Sequence, residues 1–189
     1  MRKLKLQMQT SIDGFVAGVN GELDWMVWDW DDEFKDYVLN LHESVDLILL
    51  GGNMATGFIE AWESRVLAPE TADILAHKMV DTPKIVFSRS LEKLDGKNAT
   101  IAKGELKEEL TKLKKADGGD IIVYGGAKFV NSLIKNKLID EYHLFVNPVA
   151  IGKGMTIFGD LEEKFNLKLV KSKAFSCGIV ELCYEPVGN

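Results

Sequence analysis

The chain has 189 residues, of which 46% are hydrophobic and 28% charged; these values exclude a disordered chain and fit a single globular domain over residues 1–189. Its formal net charge of −6 disfavours a nucleic-acid partner, because no excess of Lys and Arg is present to pair with phosphates. No apolar run has the length of a signal peptide or a membrane span, and Cys177 and Cys183 are expected to be core thiols of a soluble, cytoplasmic protein.

Short apolar runs alternate with helical patterns along most of the chain, which predicts an α/β fold. The predicted strands of this part are 3–10, 46–50, 84–87 and 120–124. The last three are nearly continuous in apolar residues, as parallel strands covered on both faces are, so we expect them to be central. The predicted helices are 31–43, 70–79, 105–116 and 127–137.

After Leu138 the chain changes character, because longer segments alternate polar and apolar residues with a period of two. They predict strands at 140–147, 164–175 and 178–185. The last two are close enough in the chain to pair as an antiparallel hairpin at the end of a mixed sheet.

The sharpest local motif is the strand 120–124 that runs through Gly125 and Gly126 directly into a helix. Glycine lets backbone amides approach a ligand closely, and a helix N-terminus offers free N–H groups and a favourable dipole to phosphate. These residues alone support two interpretations equally, a phosphate site and a tight turn without a ligand.

Two more strand ends carry residues of the same kind. Gly51, Gly52 and Asn53 are predicted to open a loop after the strand at 46–50, and Ser88 and Arg89 follow the strand at 84–87. Taken singly, Ser88 is typical of a helix cap and Arg89 of a surface charge. Because ligands of open α/β sheets bind beyond the carboxyl ends of the strands, the three junctions together favour one nucleotide site.

A long glycine-rich segment, 10–25, follows the first strand. Such a loop can close over a ligand, and the alternative is a surface loop in which Asn20-Gly21 forms a turn. Asp13 has the same two interpretations, since Asp-Gly is a turn dipeptide. Trp25 is a candidate for the lining of a substrate pocket.

The start of the first helix combines carboxylates with tryptophans. Asp31 or Asp32 can cap this helix, which is the favoured interpretation, or can serve as a proton donor whose pKa is raised by burial among the aromatic rings. No metal site is predicted, because the histidines occur singly and are expected at the surface or in helices; they are His42, His77 and His143.

In order and spacing, these segments resemble the dihydrofolate-reductase-like family. They are most similar to the reductase domain at the C-terminal end of bifunctional riboflavin-biosynthesis deaminase/reductases and to its stand-alone bacterial relatives. The matching stretches are Ser11 to Ala17, Gly21 to Trp25, Leu50 to Thr56, Phe87 to Arg89, Gly125-Gly126, and Leu138 to Tyr142 followed by Asn147 to Phe158. The last is the most specific.

The resemblance implies a three-layer fold with a mostly parallel central sheet, a C-terminal antiparallel hairpin, NADPH as cofactor and a homodimer. It places Val16 and Ala17 beside the nicotinamide and Ser88 and Arg89 at the adenosine 2′-phosphate. Two segments would hold the remaining phosphates, namely Gly51, Gly52, Asn53, Met54, Ala55 and Thr56, and Gly125, Gly126, Ala127, Lys128 and Phe129. Relatives usually carry Gly-Arg where this chain has Gly51-Gly52-Asn53.

The implied reaction is hydride transfer from NADPH to a small heterocyclic or carbonyl substrate, such as a pterin, a dihydrofolate-like compound or a pyrimidine. Asp31 and Asp32 are the catalytic candidates, and Asp13 and Trp25 the substrate-binding ones. One alternative is the riboflavin-biosynthesis reduction of a ribosylaminopyrimidine. An alternative of another class is a nucleotide-binding protein without turnover.

Overall fold

The computed structural model describes residues 1–188 and contains eight strands and five helices. In chain order the strands are β1 (Leu4–Thr10), β2 (Val45–Gly51), β3 (Lys84–Phe87), β4 (Ala99–Ile101), β5 (Asp120–Gly125), β6 (Glu141–Val146), β7 (Leu167–Ala174) and β8 (Val180–Pro186). The helices are α1 (Asp32–Leu41), α2 (Gly52–Leu67), α3 (Ile74–Asp81), α4 (Leu106–Lys115) and α5 (Ala127–Lys135).

All strands join one sheet in the order β4-β3-β2-β5-β1-β6-β8-β7. The first six in this order run parallel, whereas β8 is antiparallel to both β6 and β7. The predicted mixed, mostly parallel sheet with a C-terminal antiparallel pair is therefore confirmed. β2 and β5 are central as expected, but β3 lies next to the edge, where only the short β4 covers it.

Helices cover both faces of the sheet, because successive residues of the buried strands point to opposite sides. Leu47 and Leu49 of β2 belong to the core that packs against α4 and α5. Ile48 and Leu50 belong to the core on the other face, together with apolar side chains of α1, α2 and α3. These two cores give the predicted three layers.

Several local predictions are wrong. The sequence predicted a loop junction after Gly51, whereas the chain enters the helix α2, whose buried Ala55 and Ile59 compensate for poor helix formers such as Gly57. The strand β4 was not predicted because its three residues form no apolar run. His143 is neither at the surface nor in a helix but buried in β6.

The cysteines are both free, and only Cys183 is buried. Cys177 is half-buried in the turn that precedes β8, so the expectation of two core thiols holds for one of them. Within residues 1–188, none of the helices combines the length and the apolar character that a membrane crossing requires.

Candidate functional site

The carboxyl ends of five parallel strands meet at one edge of the sheet, because β3, β2, β5, β1 and β6 all run in the same direction. β2 and β5 are neighbours there, and Leu50 pairs with Gly125. Each of these two strands continues directly into a helix, α2 and α5. The predicted glycine junctions therefore lie side by side, and we call this region the glycine junctions (Gly51–Gly52 and Gly125–Gly126).

The two junctions are packed too closely for larger side chains. A Cβ atom on Gly51 would lie 2.7 Å from Cβ of Phe129. A Cβ atom on Gly125 would lie 2.9 Å from Sδ of Met54, and the φ angle of Gly125 is +146°, which other residues rarely adopt. Glycine at these positions is what allows α2 and α5 to start beside each other.

Neither of these two helices has a side-chain cap. Gly51 precedes α2 and Gly126 precedes α5 without a capping hydrogen bond, and the first turns of both helices contain no acidic residue. By contrast, α1 and α3 are capped by Asp31 and Asp73. Free backbone N–H groups and two positive dipole ends thus face the same edge, which favours a bound anion.

The third predicted junction, at the end of β3, reaches the same place. A Cβ atom on Gly52 would lie 2.5 Å from Oγ of Ser88, so Ser88 adjoins the start of α2. Its hydroxyl oxygen accepts hydrogen bonds from the backbone N–H groups of Ser90 (3.2 Å) and Leu91 (3.0 Å). Residues 88–98 contain no helix, so Ser88 closes a turn and the helix-cap interpretation is wrong. The neighbouring side chain of Arg89 is exposed.

The remaining cofactor candidates differ in exposure. Asn53, Thr56 and Lys128 are exposed around the glycine junctions, so Lys128 adds a cation near the start of α5. Ala55 is buried against the sheet. Ala127 packs partly into the core and has no polar side-chain group, so its contribution would come from its backbone N–H.

The loop that follows β1 is hydrogen-bonded to the loop that follows β6. The N–H of Val16 donates to the carbonyl of Met155 at 2.8 Å, and the N–H of Met155 donates to the carbonyl of Ala17 at 2.8 Å. Val16 and Ala17 are buried. The predicted nicotinamide-side residues are thus fixed by a short two-stranded contact with the segment that follows β6.

Asp13 holds these loops together. Its carboxylate accepts hydrogen bonds from Oγ of Ser11 (2.6 Å) and from the N–H groups of Ile151 (3.2 Å) and Gly152 (2.7 Å). The bond from Ser11, with the two backbone bonds, lowers the pKa of Asp13. Asp13 is therefore an ionised loop anchor, and a structural role accounts for its contacts.

Asp31 caps α1, as the favoured interpretation predicted. Its Oδ1 accepts from the N–H of Phe34 at 2.7 Å, and its Oδ2 accepts from the N–H of Cys177 at 2.7 Å. The bond from Phe34 is the main cause that lowers the pKa of Asp31, so the expected raised pKa is wrong. The side chain of Asp32 is 99% exposed and is not buried among tryptophans.

Trp25 is half-buried, and its Nε1 donates to the carbonyl of Glu22 at 3.1 Å within the same loop. A cavity of about 200 Å³ lies elsewhere, between α1 and the α2–α3 pair, and is lined by residues that include Trp30, Asp32 and Arg65. None of its lining residues belongs to the glycine junctions, so we do not assign the cofactor to it.

The sequence model of one protein family, described as the RibD C-terminal domain, matches residues 2–181. The chain belongs to this family. The uncharacterized protein YyaP of Bacillus subtilis (strain 168) is 34% identical over 186 residues, which cover 97% of this chain and 94% of that protein. The riboflavin biosynthesis protein RibD of Aquifex aeolicus (strain VF5) is 28% identical over 93% of this chain, and the match spans 55% of that protein.

Solved structures of RibD-like proteins share the fold. The putative riboflavin biosynthesis protein of Shewanella sp. PV-4 superposes with a TM-score of 0.72 at 23% identity, over the whole of both chains. RibD of Acinetobacter baumannii gives a TM-score of 0.72 at 17% identity, over 99% of this chain and 58% of that one. The predicted relationship to the riboflavin reductase domain is therefore confirmed, together with the fold class.

In this member of the RibD C-terminal domain family, Asn147 is a site-shaping residue that the sequence analysis did not assign. It is fully buried at the end of β6. Its Oδ1 accepts from the N–H of Val27 at 2.9 Å, and its Nδ2 donates to Oε1 of Gln9 at 2.8 Å. An amide directly after a strand and before Pro148 was the available signal, but its partners are distant in sequence.

Proposed function

We propose that the chain is an NADPH-dependent reductase that transfers a hydride to a small heterocyclic or carbonyl substrate. The observation that carries this proposal is the meeting of two uncapped helix N-termini at Gly51 and Gly126. Membership of the RibD C-terminal domain family supports it, since the family comprises reductase domains of riboflavin biosynthesis and their stand-alone relatives. NADPH would supply the hydride.

The residues at this edge fit the cofactor in chemical type. The free N–H groups at the starts of α2 and α5 would bind the pyrophosphate. Arg89, exposed beside Ser88, would pair with the adenosine 2′-phosphate. Val16 and Ala17 would border the nicotinamide.

On the substrate side, Trp25 would provide an apolar wall at the loop that precedes α1. Asp13 would keep the two loops closed and so exclude water from the reacting atoms. Asp31 does not suit the role of proton donor, because two backbone N–H groups stabilise its ionised form.

The test is a titration of the purified protein with NADPH and with NADH, followed by nicotinamide fluorescence. We expect NADPH to bind more tightly than NADH, and failure of both to bind would rule the proposal out.

An Arg89→Ala variant should weaken the binding of NADPH by about 1 to 3 kcal/mol, as expected for a lost charge-assisted contact, and should leave the affinity for NADH nearly unchanged. Lys168→Ala is the matched control, since it removes an exposed cation from β7 at the far edge of the sheet. An equal loss of affinity for both nucleotides would show that Arg89 does not contact the 2′-phosphate.

A narrower proposal is that the substrate is a ribosylaminopyrimidine, and the family match favours it. NADPH consumption should then be fastest with this compound in a panel that also contains pterins and quinones. If only another member of the panel were turned over, the narrower proposal would be refuted and the general reductase proposal would stand. Nucleotide binding without any turnover would favour a non-catalytic nucleotide-binding protein.

A further inference from the structure

A row of buried polar side chains runs across the sheet from β1 through β6 to β8, on the face that α1 covers. Gln7 of β1, His143 of β6 and Cys183 of β8 are neighbours in register, and Glu181 is two residues before Cys183 on the same face. All four are buried, and Glu181 is completely inaccessible. Polar groups at this depth require partners, because their desolvation is costly.

The partners within the protein are incomplete. Nδ1 of His143 lies 3.1 Å from Oε1 of Glu181, but Oε2 of Glu181 has no hydrogen-bond partner among the described residues. Oε1 of Gln7, which is beside His143 in register, has no partner there either. The row thus contains two buried oxygens that the protein leaves unsatisfied.

Nearby lysines do not neutralise the carboxylate of Glu181. Lys173 is opposite Glu181 on β7, but its Nζ pairs with Oε1 of Glu33 at 2.8 Å. Lys171 is opposite Cys183, and its Nζ lies 4.5 Å from the centre of the Tyr37 ring. His143 itself forms the ion pair with Glu181 when its ring is protonated, and a cation placed among His143, Glu181 and Cys183 would take the place of the ring proton.

These three side chains are already close enough to share one ion. One ligand atom from each of His143, Glu181 and Cys183 lies within 4.8 Å of the others. In a tetrahedral zinc site, bond lengths of about 2.0 to 2.3 Å place the ligand atoms roughly 3.5 Å apart, so only small side-chain rotations are needed. Imidazole, thiolate and carboxylate are the donors that Zn²⁺ prefers.

The surroundings match a zinc ligand shell as well. The second ring nitrogen of His143, Nε2, lies 3.4 Å from Oε2 of Glu141. A carboxylate that accepts from the remote nitrogen of a ligating histidine fixes the orientation of the ring and raises its basicity. A water molecule in the fourth position would have Oε1 of Gln7 available as a hydrogen-bond acceptor.

We propose that His143, Glu181 and Cys183 form a Zn²⁺ site that links β6 to β8. Binding releases the thiol proton of Cys183 and the Nδ1 proton of His143 to solvent and forms bonds from nitrogen, sulfur and oxygen to the metal, with no change of oxidation state. The site shares no residue with the glycine junctions, so it does not depend on the proposed function.

The test uses Co²⁺ as a spectroscopic substitute for Zn²⁺, added to protein that has been dialysed against a chelator. We expect one Co²⁺ per chain, a thiolate-to-cobalt charge-transfer band in the near ultraviolet, visible bands of a tetrahedral site, and loss of all bands when Zn²⁺ is added. Cys183→Ser should abolish the charge-transfer band, and Cys177→Ser, the matched control, should keep it. The absence of the band from the wild-type protein, or its loss only in Cys177→Ser, would overturn the proposal.

A second measurement needs no variant and therefore does not depend on how the substitutions fold. Zn²⁺ should slow the alkylation of Cys183 by iodoacetamide at least about tenfold, while the half-buried Cys177 reacts at an unchanged rate. Peptide mass spectrometry distinguishes the two sites. Equal alkylation rates of Cys183 with and without Zn²⁺ would show that the three side chains do not bind the ion, and would overturn the proposal.

Discussion

Asn53 offers a single-residue test of the anion site, because it is exposed in the first turn of α2, where no acidic side chain is present. Asn53→Asp should stabilise the free protein by about 0.3 to 1 kcal/mol, since a carboxylate interacts favourably with the helix N-terminus. The same carboxylate should repel the pyrophosphate and lower the affinity for NADPH roughly tenfold. Urea unfolding and a fluorescence titration measure these opposite effects.

Thr111→Asp is the control for this change, because it adds the same charge at an exposed position within α4. It should leave NADPH affinity unaltered. If Asn53→Asp were to bind NADPH as tightly as the wild-type protein, the start of α2 would not contact the phosphates.

At the residue scale, the passage from β5 through Gly125 and Gly126 into a helix was predicted correctly, because a strand, two glycines and a helical pattern are adjacent in the chain. The phosphate-binding role of the glycine junctions stays a prediction. The favoured interpretation of Asp31 as a helix cap is confirmed by the bond from Phe34, which is local in sequence. The second bond, from the N–H of Cys177, could not be predicted because Cys177 is far away in sequence. The cluster around His143 was missed for the same reason. Its members come from two strands whose register only the folded sheet fixes.

At the scale of loops and strands, Asn147 determines how the segment before α1 is attached to the sheet. Asn147→Ala would leave the N–H of Val27 and Oε1 of Gln9 without their partner, so we expect a loss of about 2 to 4 kcal/mol in the free energy of unfolding. Hydrogen exchange of the backbone around Val27 should accelerate more than that of β2.

Asn136→Ala serves as the comparison for this prediction. The side chain of Asn136 is exposed, and its Nδ2 donates to the carbonyl of Ser132, so its removal should cost about 1 kcal/mol or less. Equal losses for the two variants would show that Asn147 has no special role in holding the loop.

The elements were predictable where the hydrophobic pattern is strong. β2 and β5 are apolar on both faces, and α5 has one clear apolar side, which made their type evident. α2 begins with glycines and was interpreted as a loop, because the packing of Ala55 and Ile59 that stabilises it is tertiary.

At the scale of the whole molecule, His42 should make the free energy of unfolding depend on pH in the acidic range. Its ring is buried, with Nδ1 directed at the carbonyl of Val38 and Nε2 at the hydroxyl of Tyr124. Burial lowers its pKa from 6.5 to about 4. Between these pH values the unfolded chain binds more protons than the folded one, so stability should fall by up to about 3 kcal/mol as the pH drops from 6.5 to 4.

The difference in unfolding free energy between the wild-type protein and His42→Gln, measured by urea at several pH values, isolates this contribution. The wild-type protein should lose stability relative to the variant as the pH falls. His77→Gln, a change at an exposed histidine, should show no such difference. A pH-independent difference for His42→Gln would contradict the prediction.

The family and the architecture of the whole chain were accessible from sequence, because ordered motifs spread over nearly its full length. The homodimer expected from the resemblance stays a prediction, and so does the identity of the substrate. Both depend on surfaces formed by loops and edge strands, where the pattern of residues indicates exposure but not the partner.

The most direct test of the cofactor site is an amide NMR titration of the ¹⁵N-labelled protein with NADPH. We expect the largest chemical-shift changes at the first turns of α2 and α5, namely at Gly52, Asn53, Gly126, Ala127 and Lys128. Changes confined to the cavity beside α1, or no changes at saturating NADPH, would contradict this prediction.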